Sequence, residues 1–349
     1  MSNAVPSCPD HSTLSPQGAP FAGHTVLFDA THGQPNWGET GYSSREMHSN
    51  FAGLAQVLCR LGCTCVALNE RPLTKLLGQA KLLVIPPPTG RYHARKQCWS
   101  PDPASLFSAE EIQALLRFLH AGGRLLVLAY RFGDSFTGAN LGDLFGPLGC
   151  LLHDDAVIDV TALRATPSLL THFDTPAELL PVPWFRQGVE QLRCRARATF
   201  TVLPGATAHP IALSPGGRCI TFDRTHRRIS FASRPFAVAG EVAKGRFALF
   251  GGPHIFETGT YGLLDEVGNR RFLDQLLAWL LSDDHGPLEA GCEAQFQPRP
   301  WLLPGFSDED EAFDLVADSG PAEATVDSVE RVLRKTGVLK ALGRAQWMP

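Results

Sequence analysis

Four short apolar runs, each bounded on one side by residues that break regular structure, constrain this chain more than any other feature. Val26, Leu27 and Phe28 run into Asp29 and Gly33; residues 63–68 follow Gly62; residues 81–85 are closed by Pro86, Pro87 and Pro88; residues 124–129 follow Gly122 and Gly123. Runs this short and this aliphatic read as buried strands rather than helices, and consecutive prolines cannot extend a ladder. The intervening segments have helical spacing. Met47, Phe51, Leu54, Leu58 and Leu61 recur every three or four residues across 44–61, with Gly62 as the stop. Residues 73–80 form a shorter helical stretch. Ser108 with Glu111 three residues on is a capping box that opens a helix over 109–120. Strands alternating with crossovers of helical length predict an α/β fold: a doubly wound, mostly parallel, flavodoxin-like sheet covered by helices on both faces.

The later chain predicts an addition to that sheet. Residues 246–250 read as another buried strand, and residues 269–282 as a helix with Phe272, Leu273, Leu276, Leu277, Leu280 and Leu281 on its apolar side. The sheet is thus completed by a strand distant in sequence. A short helix is expected over 141–148 and an edge strand over 153–160. Residues 161–235 are Pro-rich, with extended runs at 198–203, 211–213 and 228–232, and predict an antiparallel extension. Residues 89–107 read as a long polar loop, of a length more often functional than neutral.

These readings divide the chain into a Ser/Pro-rich lead over 1–22, an α/β domain over 23–283, and a tail over 284–349. The tail carries the acidic run Asp308, Glu309, Asp310 and Glu311. An amphipathic pattern follows over 325–342, with Val326, Val329, Val332 and Leu333 on one side and Arg331, Arg334 and Lys335 largely off it. A segment of this kind either docks on its own domain or offers a helix to a partner's groove.

Composition narrows the function classes. A net charge of -4, with 44% hydrophobic and 19% charged residues, gives no global attraction to nucleic acid or anionic membranes. The lead lacks the charged start and apolar core of a signal peptide, and no window reaches eighteen apolar residues, so a non-spanning protein is expected. The nine cysteines are scattered without paired C-x-x-C elements, which argues against a zinc ribbon and for a reducing, cytoplasmic setting. Cys63 and Cys65 should share one strand face, with Thr64 on the other. Cys98, beside Trp99 in the basic loop, reads as a surface thiol.

Ligands of open α/β sheets sit beyond the carboxyl ends of the parallel strands. Three such ends carry polar side chains: the loop after the first strand (DATHGQPNW), the turn after residue 129 (YRFGD), and GGPHIFE after residue 250. Asp29, His32, Asn36, Trp37, Tyr130 and Arg131 are therefore the candidate ligand-binding residues. An alternative groups Asp29, His32, His254 and Glu257 as a hydrolytic or metal-dependent centre. Their types suit zinc, but neither pair lies on a ligand helix, so no metal and no cofactor is assigned.

The segments FDATHGQ, KLLVIPPPTG, FSAEEIQALLRFLHAGGRLLVLAY, GRFALFGGPHIF and NRRFLDQLLAWLL together resemble the class I glutamine amidotransferase-like superfamily. The chain looks closest to its non-catalytic branch of uncharacterised bacterial domains, gliding-motility or ABC-transport-associated proteins, and the amino-terminal domain of an intraflagellar-transport subunit. The resemblance covers roughly 24–283, without most of the middle extension. Catalytic members carry a cysteine on a tight strand-to-helix elbow, with backbone amides for the oxyanion and a histidine–carboxylate base. Here that elbow reads VLAYRFGDS, with Tyr130 and Arg131 where the thiol is needed. The resemblance therefore implies a pseudoenzyme: a binding or scaffold subunit for a protein partner, docked partly through Val326, Val329, Val332 and Leu333. The alternative is a hydrolase rebuilt in the same crevice.

Overall fold

A computed structural model describes residues 19–32, 51–68, 72–93, 98–159, 175–179, 185, 187–195, 197–214, 219–223, 228–230, 234–258 and 262–283. The first strand, β1 (Thr25–Asp29), is followed by helix α1 (Ala52–Arg60), β2 (Thr64–Leu68) and β3 (Leu82–Ile85). The start of the helix expected over 44–61 lies outside the described residues. Gly62 ends α1 with φ +94°, and a Cβ there would lie 2.9 Å from the Ala22 nitrogen, so turn and packing both require glycine. Two 3-10 turns, Leu73–Lys75 and Leu77–Gln79, replace a full helix before β3.

The stretch 89–107 is not a plain loop. It contains a small antiparallel hairpin of β4 (Arg91–His93) and β5 (Cys98–Ser100), then a 3-10 turn at Pro103–Ser105 capped by the Asp102 carboxylate. Helix α2 (Ala109–His120) has both halves of its capping box: Ser108 Oγ accepts from the Glu111 N–H, and Glu111 Oε2 accepts from the Ser108 N–H. Strand β6 (Arg124–Leu128) leads to two short helices, α3 (Gly133–Thr137) and α4 (Leu141–Phe145).

The remaining strands are β7 (Cys150–Leu152), β8 (Asp155–Asp159), β9 (Thr175–Leu179), β10 (Gln191–Cys194), β11 (Phe200–Val202), β12 (Ala208–Leu213), β13 (Cys219–Asp223) and β14 (Arg228–Ser230). They are followed by β15 (Pro235–Val242), β16 (Gly245–Phe250) and the last described helix, α5 (Val267–Leu281).

The main sheet runs β10-β9-β12-β15-β16-β6-β3-β1-β2. Its right half, β16-β6-β3-β1-β2, is parallel throughout. Its left half is antiparallel, entered through the β15–β16 hairpin. The expected doubly wound sheet with an antiparallel extension is present, and the strand distant in sequence is β16, inserted beside β6. Two expectations change. The edge strand expected over 153–160 is β8, which pairs with β13 in a separate small sheet rather than at the main sheet's edge. The antiparallel half reaches past residue 235, because β15 is a strand in its own right.

Side chains alternate between two cores. Val26, Phe28, Val84, Leu126 and Phe250 pack towards α1 and α5, while Leu27, Leu83, Leu125, Val127 and Leu249 pack towards α2 and α4. Strands covered on both faces are apolar at every position, which is why these runs do not alternate in polarity.

At the amino ends of the parallel strands, two buried arginines hold the end of α5. Arg124 donates through Nε to the Leu280 carbonyl at 2.8 Å and through Nη1 to the Lys244 carbonyl at 2.6 Å. Arg246 donates through Nη1 to the carbonyls of Trp279 and Ser282 at 2.7 and 2.8 Å. The last turn of a helix leaves its carbonyls without intrahelical donors, and cations there also oppose its dipole favourably. Asp283 completes the clamp, 2.7 Å from Lys81 Nζ and 3.0 Å from Arg124 Nη2.

Candidate functional site

At the carboxyl end of β1 the chain turns back on its own acid. Asp29 Oδ1 accepts from the Thr31 N–H at 2.9 Å and from its hydroxyl at 2.8 Å, while Oδ2 meets His32 Nδ1 at 2.6 Å. The imidazole is fully buried, lies flat on Phe107 with ring centroids 3.7 Å apart, and presents Nε2 to Glu111 Oε2 at 3.6 Å. Its ring therefore stands between two carboxylates. Burial alone would raise the Asp29 pKa, but the hydrogen bond and charge of His32, with the Thr31 donors, hold it below the usual carboxylate range.

The end of β6 forms a tight elbow. Phe132 sits in the left-handed region at φ 59° and Gly133 at φ 49°. An aromatic residue in that region is strained and persists only where its surroundings over-determine it. Here the Phe132 N–H donates to the Asp155 carbonyl at 2.7 Å, and a Cβ on Gly133 would come within 2.9 Å of the His153 carbonyl oxygen. The Asp155 carboxylate is itself fully buried and accepts from both the amide and the hydroxyl of Thr199. Asp134 accepts from the amides of Leu141 and Gly142, fixing the start of α4; burial raises its pKa, and those amides counter the rise in part.

Tyr130 and Arg131 stand at this elbow. The Arg131 guanidinium carbon lies 5.5 Å from the Tyr130 ring centroid and 5.4 Å from that of Phe136. The other face of this region is the loop after β16. His254 Nδ1 meets Glu257 Oε2 at 2.6 Å, both residues are buried, and the His254 ring is edge-on to Tyr130 at 5.8 Å. The same two residues accept backbone bonds from Leu263 and Leu264, which fixes the return into α5.

The structure thus brings Asp29 to His32, and His254 to Glu257 and Tyr130, with Arg131 over the Tyr130 ring. The strands that lead to the two pairs, β1 and β16, have β3 and β6 between them in the sheet, three strand spacings or about 14 Å. Among the described residues no group of three or more His, Cys, Asp or Glu side chains is placed to hold a metal ion. Asn36 and Trp37 lie outside the described residues, as do Val326, Val329, Val332 and Leu333. Glu111 and Asp155 were not picked out as site residues: Glu111 was legible only as a cap, and Asp155 had no local signal at all.

The cysteines follow the packing reading in part. Cys63 is buried and Cys65 half-buried, with exposed Thr64 between them. Burial pushes the Cys63 thiol up to about 11 and, with Cys63 beside it, that of Cys65 to about 12, so neither is a thiolate at neutral pH.

Fold and strand ends together define a doubly wound α/β domain whose parallel half has the flavodoxin-like order, with a histidine–carboxylate pair at each of two strand ends. No protein-family model and no curated protein matches the sequence. Among solved structures, the mmIFT52 N-terminal domain superposes with a TM-score of 0.54 at 18% identity, over 75% of this chain and 99% of that one. The cytoplasmic protein STM3548 from Salmonella typhimurium gives 0.42 at 14% identity over 74% and 98%, and Agd3, described as a carbohydrate deacetylase, 0.39 at 9% over 74% and 32%. The first likeness shows a shared fold, of the kind expected from the resemblance to an intraflagellar-transport subunit. Among the described residues, no helix is long and apolar enough to cross a membrane.

Proposed function

We propose that this chain is a non-enzymatic binding or scaffold subunit, built on an amidotransferase-like α/β domain of the non-catalytic branch, that acts in the cytoplasm and docks a protein partner partly through its carboxyl-terminal tail. The observation that carries the reading is the elbow after β6. A nucleophile there would have to face His254, and the ring edge-on to that imidazole is Tyr130, itself stacked under Arg131. The fold likeness to the mmIFT52 N-terminal domain supports the same reading at the level of architecture. In this reading Val326, Val329, Val332 and Leu333 present the docking face, and Asp29, His32, Asn36, Trp37, Tyr130 and Arg131 line the crevice where a small polar ligand would bind.

The test is native mass spectrometry of the full chain purified from its own cells, beside a Val329→Asp/Leu333→Asp form. A stoichiometric protein partner held by the first and lost from the second is the expected result. A chain that purifies alone in both forms overturns the scaffold reading.

A second reading has one observation in its favour, the 2.6 Å His254–Glu257 pair, which is the geometry of a base with its orienting carboxylate. A hydrolase would use it together with Asp29 and His32 in a rebuilt crevice at the carboxyl ends of the parallel strands. Loss of a measured hydrolytic activity in His254→Gln, with the fold retained, would establish that reading; equal activity in both forms would remove it.

A further inference from the structure

The domain carries an open groove of about 460 Å³ at the end of the sheet opposite the strand-end crevice. It lies between the turn after α4, the β11–β12 turn and the β15–β16 turn, with Pro147, Leu148, Leu203, Pro204, Val242 and Ala243 among its lining. Its one acid, Glu241, is held by Arg246 Nε at 2.9 Å, so the lining presents a mixture of apolar side chains and uncharged polar groups. The volume suits a few aliphatic side chains and is small for a folded domain.

What reaches this groove first is the chain itself. Arg124 Nη1 donates to the carbonyl of Lys244, the neighbour of Ala243 in the groove, and Arg124 Nη2 to the carboxylate of Asp283, after which the chain continues as residues 284–349. The arginine clamp therefore fixes the exit of the tail beside the groove's rim. A tail of this length returns to a site near its own root at high effective concentration. Along the tail, Val326, Val329, Val332 and Leu333 form an apolar stripe at helical spacing, flanked by basic residues.

We infer that the groove beside the α5 exit is the seat of the chain's own amphipathic segment 325–342, with Val326, Val329 and Leu333 as its anchors. The tail then has two states: seated on its own domain, or released to a partner. The inference rests on the scaffold reading only for what the released state is for; the seated state is a property of the isolated chain and fails or holds separately.

Arg331, Arg334 and Lys335 make the segment a substrate for trypsin, and seating protects it. The experiment is limited trypsin digestion of the full chain, following cleavage at these three sites, with far-UV circular dichroism and thermal midpoint as fold controls. Val329→Asp on the tail and Thr207→Arg on the exposed groove wall are each expected to raise the cleavage rate about tenfold. The double variant should be no faster than either single one, because both release the same contact. Pro147→Arg on the opposite wall stands in for Thr207→Arg if that form loses its fold. Cleavage unaffected by the groove variants overturns the proposal. So does protection that disappears on dilution, since that outcome assigns the groove to a second copy of the chain.

Discussion

The ends of β1 and β16 carry the same chemical unit in two settings. Each holds a histidine and a carboxylate three residues apart, with nitrogen and oxygen 2.6 Å apart. At β1 the carboxylate comes first and sits on the strand's last residue, and the imidazole is pressed on Phe107 with Glu111 at its far nitrogen. At β16 the histidine comes first, within a 3-10 turn, and its ring borders the elbow of Tyr130 and Phe132. The first pair joins β1 to the start of α2, elements far apart in sequence. The second organises the return of one loop, through backbone bonds to Leu263 and Leu264. Spacing and residue type therefore specify the pair but not its task; the packing on the imidazole's second face decides that.

If β1 carries the structural joint, removing its charge should cost more. Asp29→Asn leaves a buried imidazole without its carboxylate partner, and losing a buried hydrogen bond to a charged group costs about 2–3 kcal/mol. Urea unfolding at pH 7 would measure it. The Asp29 pKa is depressed in the folded state, so its contribution is present at neutral pH and is lost as pH falls through the folded value. The gap between wild type and variant should accordingly hold down to roughly pH 4, the range of an unfolded Asp, and narrow only below it. A gap that does not change at all as the pH is taken down through the carboxylate range would mean that shape, not charge, holds the joint. His254→Gln keeps an amide donor near Glu257 and disturbs one loop, so about 1–3 kcal/mol is expected by the same assay. Equal losses at both ends would break the comparison.

The two ends were not equally legible. Runs of buried residues bounded by Gly62, Pro86 and Gly122 make the parallel half readable, since its strands are apolar and their boundaries are local. Strand β15 escaped because it opens with Pro235 and contains Gly240, which ordinarily weaken a strand assignment. The structure supplies the reason for that glycine: a Cβ there would lie 2.6 Å from the Phe247 ring and 2.8 Å from the Thr207 carbonyl. The hairpin within 89–107 escaped for want of apolar alternation. Within the site, both dyads are readable as i, i+3 pairs. Nothing local records that β3 and β6 lie between the strands that lead to them. The contact of Glu111 with His32 and the hold of Asp155 on Phe132 are long-range and carry no sequence spacing.

The smallest expected effect separates the two jobs of Glu111. Its Oε2 accepts from the Ser108 N–H at 2.9 Å and also faces His32 Nε2 at 3.6 Å. Glutamine keeps the capping function, since either residue completes a capping box, but removes the charge. Ser108→Ala removes the opposite half of the box and should cost about 1 kcal/mol whatever His32 does. Glu111→Gln should cost less than about 1 kcal/mol, some of it from losing an anion in the first turn of α2. The informative quantity is therefore not that loss but its change when Asp29 is already asparagine. If His32 serves as a shared cation between two carboxylates, the double variant departs from additivity by at least about 0.5 kcal/mol, because the first substitution alters what the second acts on. Additivity within that margin would make Glu111 a helix cap alone, and would reduce the β1 end to a single dyad like the one at β16.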